Sequence, residues 1–352
     1  MKCWVSGKDL KSVFIDIAPL LRKYDRARVI GISTTKTTMT FTVDTGTCYT
    51  RTIDISGVED GMEMSITVMF TDLSSFIAAR EEVLVELTQY FVAIKTKKAN
   101  MSLTMGESIV APYVPRRGKS VTINFATLKR VTKVFSGTTE LQKAFNRDFA
   151  ITFYGEYALM RSPTVWVHTK SQGLDGVLSL EQMKSIVAFQ PELVEESDRL
   201  EFRKGNAILS IPRSAPTEGD KFFNHREKLD YLSTINPSGV YKELQGIKKN
   251  IGVSETSIHI YQSGFALDIS KSGISLHQEY GVGGESTFSF KIMLDIFAMC
   301  LNILGDDTEI QVYGKGDIIC LENLETAILL SVTSRYSRQK RIRRSFCHLK
   351  LR

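Results

Sequence analysis

Apolar residues recur along this chain with two different spacings. In six segments they lie three and four positions apart, which is the spacing of an amphipathic helix. Between these segments, apolar and polar residues alternate over short runs, which is typical of strands with one buried face. The pattern therefore predicts an α+β fold in which six helices alternate with groups of short strands.

Three of the predicted helices carry features that predict how they begin, bend or pack. Pro19 lies inside the first helix and predicts a kinked last turn, because proline removes a backbone hydrogen bond. Asp72 precedes the second helix as a candidate N-cap. The sixth helix is apolar almost all round, so it is predicted to be the most buried. The apolar positions place the six helices at residues 10–21, 73–77, 128–135, 180–187, 240–251 and 291–304.

The order of these elements repeats along the chain. Each unit consists of a strand, a helix and three strands, and six such units pair into three similar blocks. Segments 110–119 and 215–227 have the composition of linkers, and hairpin turns are predicted at Gly205-Asn206 and at 314–316. We therefore predict three tandem domains, each a doubled β-α-β-β-β unit, and a tail, at residues 1–115, 119–215, 229–334 and 335–352.

The composition indicates an intracellular protein. The five cysteines form no C-x-x-C pair, and 352 residues suffice for several cores without disulfides or metal. The first residues, MKCWVSGKDL, lack the apolar core of a signal peptide, and no apolar run approaches the ~18 residues of a membrane span. We expect a cytoplasmic protein with no membrane segment and no metal site.

Positive charge is concentrated at one end of the sequence. The last eighteen residues carry eight Lys or Arg and no acidic residue, so residues 1–334 have a net charge of −2 within a total of +6. A basic tail on a slightly acidic body makes nucleic acid a plausible partner. The tail is predicted either as a phosphate-binding arm or as a solubilising extension.

Sequence signatures of enzymes are missing. The chain has no G-x-x-x-x-G-K-[ST] loop, no G-x-S-x-G elbow and no H-E-x-x-H helix, and its histidines are scattered. We therefore expect no catalytic residues and no cofactor. A nucleic-acid enzyme whose carboxylates meet only in the folded chain remains an alternative, and it predicts metal-dependent turnover.

Two segments of the third block, KLDYLSTINP at 228–237 and TAILLSVTSRY at 326–336, carry a family resemblance. Together with three doubled repeats, they resemble the bacterial-type DNA sliding clamps. The resemblance implies a ring subunit that encircles duplex DNA without regard to sequence and tethers the replicative DNA polymerase. It also implies a head-to-tail dimer and an ATP-dependent clamp loader. A clamp-fold transcription coactivator that carries RNA polymerase is the alternative.

The sequence departs from the family at two places that belong to its partner-binding pocket. Val332-Thr333-Ser334-Arg335 stands where a Met-Pro-Met-Arg run is expected, and VWVHTKSQGLDG at 165–176 replaces a Thr-Asp-Gly-His-Arg run. These departures indicate a divergent clamp whose partners carry a different peptide. They also fit a bacteriophage protein that acts in the cytoplasm of a bacterial host.

The resemblance implies which residues should contact DNA and partners. Helices line the channel of such clamps, so basic residues on or just after the predicted helices are the DNA-binding candidates; the sixth helix offers only Lys291. Their alternative role is that of an ordinary solvated face. These candidates are Lys11, Arg22, Lys23, Arg80, Lys129, Arg130, Lys133, Lys184, Lys242, Lys248 and Lys249. The partner-binding candidates, which could instead be core residues, are Leu229, Tyr231, Thr234, Ile235, Leu330 and Val332.

Overall fold

The computed structural model describes most of the chain. The residues outside the description are 22–27, 60–62, 107–109, 112, 146–147, 216–219, 253, 272, 282–285, 306–308 and 335–352. The basic tail and two DNA-binding candidates, Arg22 and Lys23, therefore lie outside the described residues.

The described residues form mostly short antiparallel strands. The strands are β1 Lys2–Ser6, β2 Val29–Thr34, β3 Thr38–Asp44, β4 Cys48–Glu59, β5 Ser65–Met69, β6 Glu82–Leu87, β7 Phe91–Lys95, β8 Asn100–Thr104, β9 Lys119–Val121, β10 Ile151–Tyr154, β11 Tyr157–Arg161, β12 Val165–Lys170, β13 Gly176–Leu178, β14 Leu193–Glu196, β15 Arg199–Lys204, β16 Ala207–Pro212, β17 Asp230–Ile235, β18 Glu255–Tyr261, β19 Gly264–Lys271, β20 Ile274–Tyr280, β21 Phe288–Met293, β22 Ile310–Lys315, β23 Ile318–Glu322, β24 Thr326–Ser331 and β25 Thr333–Ser334.

Helices are fewer, and the longest ones bury a continuous apolar face. The helices are α1 Gly7–Leu21, α2 Phe125–Ser136, α3 Thr139–Ala144, α4 Leu180–Phe189, α5 Asp220–Arg226, α6 Val240–Ile251 and α7 Leu294–Leu304. Five of the six predicted helices are confirmed as α1, α2, α4, α6 and α7. Helix α7 buries Phe297, Ala298, Met299, Cys300 and Leu301 in succession, as its apolar sequence predicts.

The second predicted helix is wrong, because residues 74–76 form a turn. Leu73 and Ile77, four positions apart, are both buried as the pattern predicts, but Phe76 is 52% exposed. The Asp72 carboxylate accepts a hydrogen bond from the Ser74 N–H, and the Gly7 N–H donates to the carbonyl of Glu81. Two buried side chains anchor this segment, while its backbone bonds go to turns and to the start of α1.

The chain folds into two compact units, Met1–Phe125 with Glu181–Ser214, and Ala126–Leu180 with Ala215–Arg352. The first unit holds a twelve-stranded sheet whose main path runs β8-β7-β6-β1-β4-β16-β15-β14-β9. Strands β3, β2 and β5 branch from β4 in that order. Helix α1 covers part of this sheet with buried Leu10, Val13, Phe14 and Ile17.

The second unit holds two further sheets. An eight-stranded sheet has the order β13-β10-β11-β12-β24-β23-β22-β17, and a five-stranded sheet has the order β20-β19-β18-β21-β25. The predicted linker at 215–227 is partly wrong, because Asp220–Arg226 forms helix α5. Its Phe222 is 1% exposed, so this segment packs onto the fold rather than merely spanning a gap.

The boundary between the two units divides the second predicted block. Strands β10 to β12 of its first half join a sheet with strands of the third block, and strands β14 to β16 of its second half join a sheet with strands of the first block. Strand β16 pairs with β4 of the first block, and β12 pairs with β24 of the third. In both cases the last strand of a block's first half pairs with the last strand of another block's second half. The three domain boundaries themselves stay a prediction.

The first predicted linker is fastened to the first unit by a buried carboxylate. Glu201 is fully buried on β15, and its Oε1 accepts hydrogen bonds from the Tyr113 hydroxyl at 2.5 Å and the Arg116 N–H at 2.7 Å. Arg203 donates to its other oxygen at 2.8 Å. Burial raises the pKa of Tyr113 to about 12, and the hydrogen bond to Glu201 acts in the same direction.

Candidate nucleic-acid interface

The DNA-binding candidates on α2 differ in what their side chains do. Lys129 and Lys133 are exposed and form no ion pair with a described residue. Arg130 is half-buried and engaged: its guanidinium donates to the Thr169 hydroxyl and the Lys170 carbonyl, and it pairs with Glu325 at 2.9 Å. Lys129 and Lys133 are therefore available to a phosphate backbone, whereas Arg130 supports the fold.

Helix α6 presents a second group of lysines in the same unit. Lys242 and Lys249 are exposed, and Lys248 is half-buried near the end of the helix. The Glu140 carboxyl has a lowered pKa, mainly because Lys143 donates a hydrogen bond to it, and the charge of Lys248 adds to the effect. Cations in the last turn also stabilise a helix through its dipole, so their position alone does not assign them to DNA.

The remaining DNA-binding candidates are less well placed. Lys11 is half-buried on α1, and Lys184 on α4 forms an ion pair with Glu181 at 3.3 Å. Arg80 is exposed, but it lies in a turn because the second predicted helix is absent. Lys291 lies on β21 and pairs with Glu255 at 3.2 Å, so it is not a residue of the sixth helix.

The partner-binding candidates divide into core and surface residues. Ile235 and Leu330 are each 1% exposed and Val332 is 7% exposed. Tyr231 is 58% exposed, and its hydroxyl lies 2.8 Å from the Thr234 hydroxyl. Leu229 is half-buried against the apolar residues that surround α5. Their role in binding a partner stays a prediction.

Helix α5 packs on one face of the eight-stranded sheet, a feature that the sequence pattern did not predict. Buried residues of this α5 site include Leu159, Phe222, Cys320 and Leu329, with Trp166 and Leu229 partly buried beside them. The opposite face is reached by α2, since Arg130 bonds to Thr169 there. The only available signal was the Phe222-Phe223 pair, which is unusual for a solvated linker.

His168 lies in the centre of the α5 site. Its ring stacks on Phe222 with a centroid distance of 4.6 Å and lies 4.8 Å from the ring of Tyr157. The side chain is almost fully enclosed, and burial lowers its pKa to about 4, although Glu322 acts in the opposite direction. Its Nε2 atom has no hydrogen-bond partner among the described residues.

Arg226 closes the edge of the same site. Its guanidinium makes two hydrogen bonds of 2.6 Å to the carboxylate of Glu322 and lies 3.4 Å from the ring centroid of Tyr313. The bonds to Glu322 raise the pKa of Arg226 above its ordinary value, so the guanidinium keeps its charge.

A cavity of about 1330 Å³ opens beside the ends of α2 and α7, also in the second unit. Its lining mixes charges, since Lys133 and Lys170 face it together with Glu309, Glu322 and Glu325.

Among the described residues, no group of His, Cys, Asp and Glu is arranged to hold a metal ion. No helix that the structure describes is long and apolar enough to cross a membrane.

The strand order and the joined sheets define a class: the chain has the fold of the DNA sliding clamps. More particularly, it is similar to bacterial β clamps. The β clamp of Helicobacter pylori in complex with 5-chloroisatin matches with a TM-score of 0.72 and 15% identity, over 95% of this chain and 100% of that one. The DNA polymerase III β subunit of Pseudomonas aeruginosa matches with a TM-score of 0.73 and 9% identity, over 95% and 100%.

A third similar structure is a putative DNA polymerase III β subunit from Eubacterium rectale, with a TM-score of 0.73 and 13% identity over 95% of this chain and 99% of that one. No protein-family model and no curated protein sequence matches the chain. The similarity is therefore one of three-dimensional structure, and the predicted three-domain α+β fold is confirmed by it.

Proposed function

We propose that the chain is a sliding clamp: a ring subunit, without catalytic activity, that encircles duplex DNA and tethers a DNA polymerase. The observation that carries this proposal is the clamp fold together with the way its sheets are joined. In both joints inside the chain, β4 with β16 and β12 with β24, the last strand of one block's first half pairs with the last strand of another block's second half. Applied to the whole chain, this rule leaves one strand of the first block and one strand of the third block without a partner.

The unmatched strands are β20 and β8. β20 is the last strand of the first half of the third block, and β8 is the last strand of the second half of the first block. Both are edge strands of their sheets. The rule that pairs β4 with β16 and β12 with β24 therefore pairs β20 of one copy with β8 of the next. Such a head-to-tail contact generates a closed ring when the rotation permits.

The side chains favour one register for this contact. In the β4–β16 joint, the first residue of one strand faces the fourth of the other, Cys48 opposite Ser210. The same offset places Ile274 opposite Leu103 and Leu276 opposite Met101. Leu276 shares the core-facing side of its sheet with Ile269, and Met101 shares that side with Ile94. Apolar side chains thus meet apolar ones.

Charge supports the same register. Continued beyond the start of β8 into the bend before it, this register brings Glu279 of one copy near Lys98 of the next, and both side chains are exposed in the single chain. The offset of the β12–β24 joint would instead set Leu276 against Ser102, an apolar residue against a polar one. An exposed pair of opposite charges contributes roughly 0.2–1 kcal/mol, so this pair favours the register only modestly. With three blocks per chain, we propose a dimeric ring.

DNA contact in this proposal is electrostatic and independent of sequence. Lys129, Lys133, Lys242 and Lys249 are the residues best suited to it, because they are exposed on helices whose opposite faces are buried. Contacts from lysine to phosphate supply affinity without base information, which suits a protein that slides. Lys11, Lys184, Lys248 and Arg80 are secondary candidates.

The partners follow from the same proposal. One solved relative, a Helicobacter pylori β clamp, is bound to a DNA ligase peptide. We propose a DNA polymerase as the main partner here and an ATP-dependent loader that opens the ring, with the partner site near Leu229, Tyr231 and Thr234. No observation in the described residues favours the transcription coactivator over the polymerase clamp. The bacteriophage origin stays a prediction.

End-blocked DNA tests this function without a loader. The protein is incubated with a linear duplex so that rings thread over the ends, and both ends are then blocked with streptavidin. We expect a dimer of the 39.6 kDa chain in solution, and retention on blocked duplex that ends when a restriction enzyme frees one end. A chain that stays monomeric at high concentration and dissociates equally from blocked and free duplex would contradict the proposal.

A further inference from the structure

Two histidines and two carboxylates form a connected cluster on the exposed face of the five-stranded sheet. Asp268 lies in the middle, since one of its carboxylate oxygens is 2.8 Å from Nε2 of His259 and the other is 2.6 Å from Nδ1 of His277. Nε2 of His277 is in turn 3.0 Å from a carboxylate oxygen of Glu279. Because His277 and Glu279 belong to β20, the cluster reaches the edge strand of the proposed ring joint.

The contacts of His277 require a charged ring. Both of its nitrogens face carboxylate oxygens, which only accept hydrogen bonds, and a neutral imidazole carries a single N–H. His277 therefore bridges Asp268 and Glu279 only when both nitrogens are protonated. The two carboxylates raise its pKa above the ordinary value of 6.5, mainly through the bond to Asp268. The bridge is thus present at acidic pH and is lost as pH rises above 6.5.

His259 has no such requirement. Its Nε2 faces Asp268, but its Nδ1 lies 2.8 Å from the hydroxyl of Ser289, which can donate a hydrogen bond. A neutral ring therefore satisfies both contacts. His259 lies on β18, two strands from the β20 edge, and its side chain is 15% exposed against 52% for His277. The proton that is lost next to the joint is therefore the one on His277.

Loss of that proton releases Glu279. The shorter bond of His277 is the one to Asp268, so a neutral ring keeps its N–H there and turns a lone pair towards Glu279. The side chain of Glu279 is 59% exposed, and His277 is its only ion-pair partner among the described residues. Without the bridge, this carboxylate is available to a cation of another chain.

We propose that the ring joint contains a proton switch, in which a charged His277 holds Glu279 within its own chain and a neutral His277 releases it to Lys98 of the next copy. This inference rests on the proposed function, because it requires the joint between β20 and β8. Lys98 also repels a charged His277, so both effects act in the same direction. A rise in pH should therefore tighten the dimer, and dimerisation should release protons.

The other charged side chains around the proposed joint leave this direction unchanged. Most of them already have partners within their own chain. These pairs are Asp268 with His259, Lys291 with Glu255, Glu243 with the Tyr280 hydroxyl and, on the strand behind β8 in the next copy, Lys95 with Glu86. The register sets the neutral Asn100 opposite His277, and the exposed Lys97 adds a second positive charge beside Lys98. Both lysines favour the pH at which Glu279 is released.

The dissociation constant of the dimer tests the switch, measured by analytical ultracentrifugation at intervals between pH 6 and pH 8.5. An exposed ion pair gained at one joint changes an equilibrium constant by about 1.4- to 5-fold, and a dimeric ring has two joints. We therefore expect the unaltered chain to dimerise about 2- to 25-fold more tightly at pH 8.5 than at pH 6. His277→Gln keeps a side-chain donor but has no charge to lose, so its dissociation constant should change far less.

His259→Gln is the matched control, because it removes a histidine of the same cluster that lies away from the edge. It should keep the pH dependence of the unaltered chain, whereas Glu279→Gln, which has no carboxylate to release, should reduce it. The inference is overturned by a dimer that is insensitive to pH or that tightens as pH falls. It is equally overturned by a pH dependence that survives in His277→Gln.

Retention of the unaltered chain on end-blocked duplex separates this inference from the proposed function. A dimer that is retained on blocked duplex, but whose dissociation constant does not depend on pH through His277, overturns the switch and leaves the clamp intact. A chain that is monomeric at every pH and dissociates equally from blocked and free duplex overturns the clamp, and the switch with it.

Discussion

The hydroxyl of Thr169 lies 2.9 Å from the hydroxyl of Thr326, across the ladder in which β12 pairs with β24. Both side chains are buried, at 0% and 4% exposure. Thr169 also donates to the Glu325 carbonyl at 3.2 Å and accepts from Arg130. This hydrogen bond favours the observed register at one end of the joint between the second and third predicted blocks, because a slipped ladder would take Thr169 away from the buried Thr326 hydroxyl.

Replacing either threonine by valine should destabilise the second unit. Valine keeps the branched shape, but Thr169→Val leaves the buried Thr326 hydroxyl without its partner, and we expect it to cost about 1–3 kcal/mol of unfolding free energy. Thr326→Val should cost less, because the Thr169 hydroxyl keeps the Glu325 carbonyl and Arg130 as partners. The double substitution should cost less than the sum of the two single costs, because it also removes the Thr326 hydroxyl that Thr169→Val leaves without a partner. Urea denaturation of the four chains measures the coupling. Additive costs would show that the two hydroxyls do not act together.

Stability should fall between pH 6.5 and pH 4 because of His168. Burial lowers the pKa of this residue from 6.5 to about 4, so the unfolded chain binds the proton first as pH falls. The stability that the neutral ring contributes is complete above pH 6.5 and is lost as pH falls towards 4, by up to ~3 kcal/mol.

The control for this pH prediction is His168→Phe, which keeps a stacking ring but cannot be protonated. Chemical denaturation across this pH range should give a flatter profile for His168→Phe than for the unaltered chain. His277, whose pKa is raised mainly by its hydrogen bond to Asp268, changes stability in the opposite sense in both chains and cancels in the comparison. Identical slopes would mean that His168 is protonated in the folded state as easily as in the unfolded one.

Charge reversal should control assembly through Glu279 and Lys98. Glu279→Lys brings two lysines near each other at the end of the proposed joint and should shift the chain towards monomer. Adding Lys98→Glu restores an opposite pair and should restore the dimer. Analytical ultracentrifugation over a range of concentrations measures both. Failure of the second substitution to rescue the first would reject the proposed register.

The lysines of α2 and α6 should set the salt dependence of DNA binding. Replacing Lys129, Lys133, Lys242 and Lys249 by glutamine should flatten the plot of log affinity against log salt, by up to about 0.9 for each phosphate that is no longer neutralised. Anisotropy with a short linear duplex measures the slope, and Lys36→Gln, in an exposed turn, is the matched control. Deleting residues 335–352 in a separate chain isolates the tail. An unchanged slope with four lysines removed would assign the affinity to other residues.

Local periodicity predicted those helices whose burial extends over several turns. It was wrong at Leu73 and Ile77, where two buried residues lie four positions apart but the backbone is drawn to the start of α1. A Cβ atom at Gly7 would overlap the carbonyl oxygen of Ala78, so the close approach of these two segments requires glycine. Interactions between residues so distant in sequence leave no trace in a local pattern.

The same limit applies to the candidate sites. Lys129 and Arg130 are neighbours with similar charge, yet one is exposed and the other bonds to Thr169 and Glu325. Helix α5 was assigned to a linker because its seven residues have no periodic face of their own, and only the sheet beneath gives Phe222 a place to be buried. Charge and composition identify which residues could bind a ligand, whereas tertiary packing decides which of them are free to do so.

The two unlike edge strands have a consequence for mixtures of subunits. In the proposed ring, a chain that carries Glu279→Lys has a weakened β20 edge but still offers an intact β8 edge to an unaltered copy. It would therefore enter a mixed dimer through one good joint and leave the other joint open. If subunits exchange freely, the share of closed rings falls as the square of the unaltered fraction, so the altered subunit is dominant over the unaltered one. When the two chains are co-expressed, the fraction of protein retained on DNA should fall by more than the fraction of altered protein present.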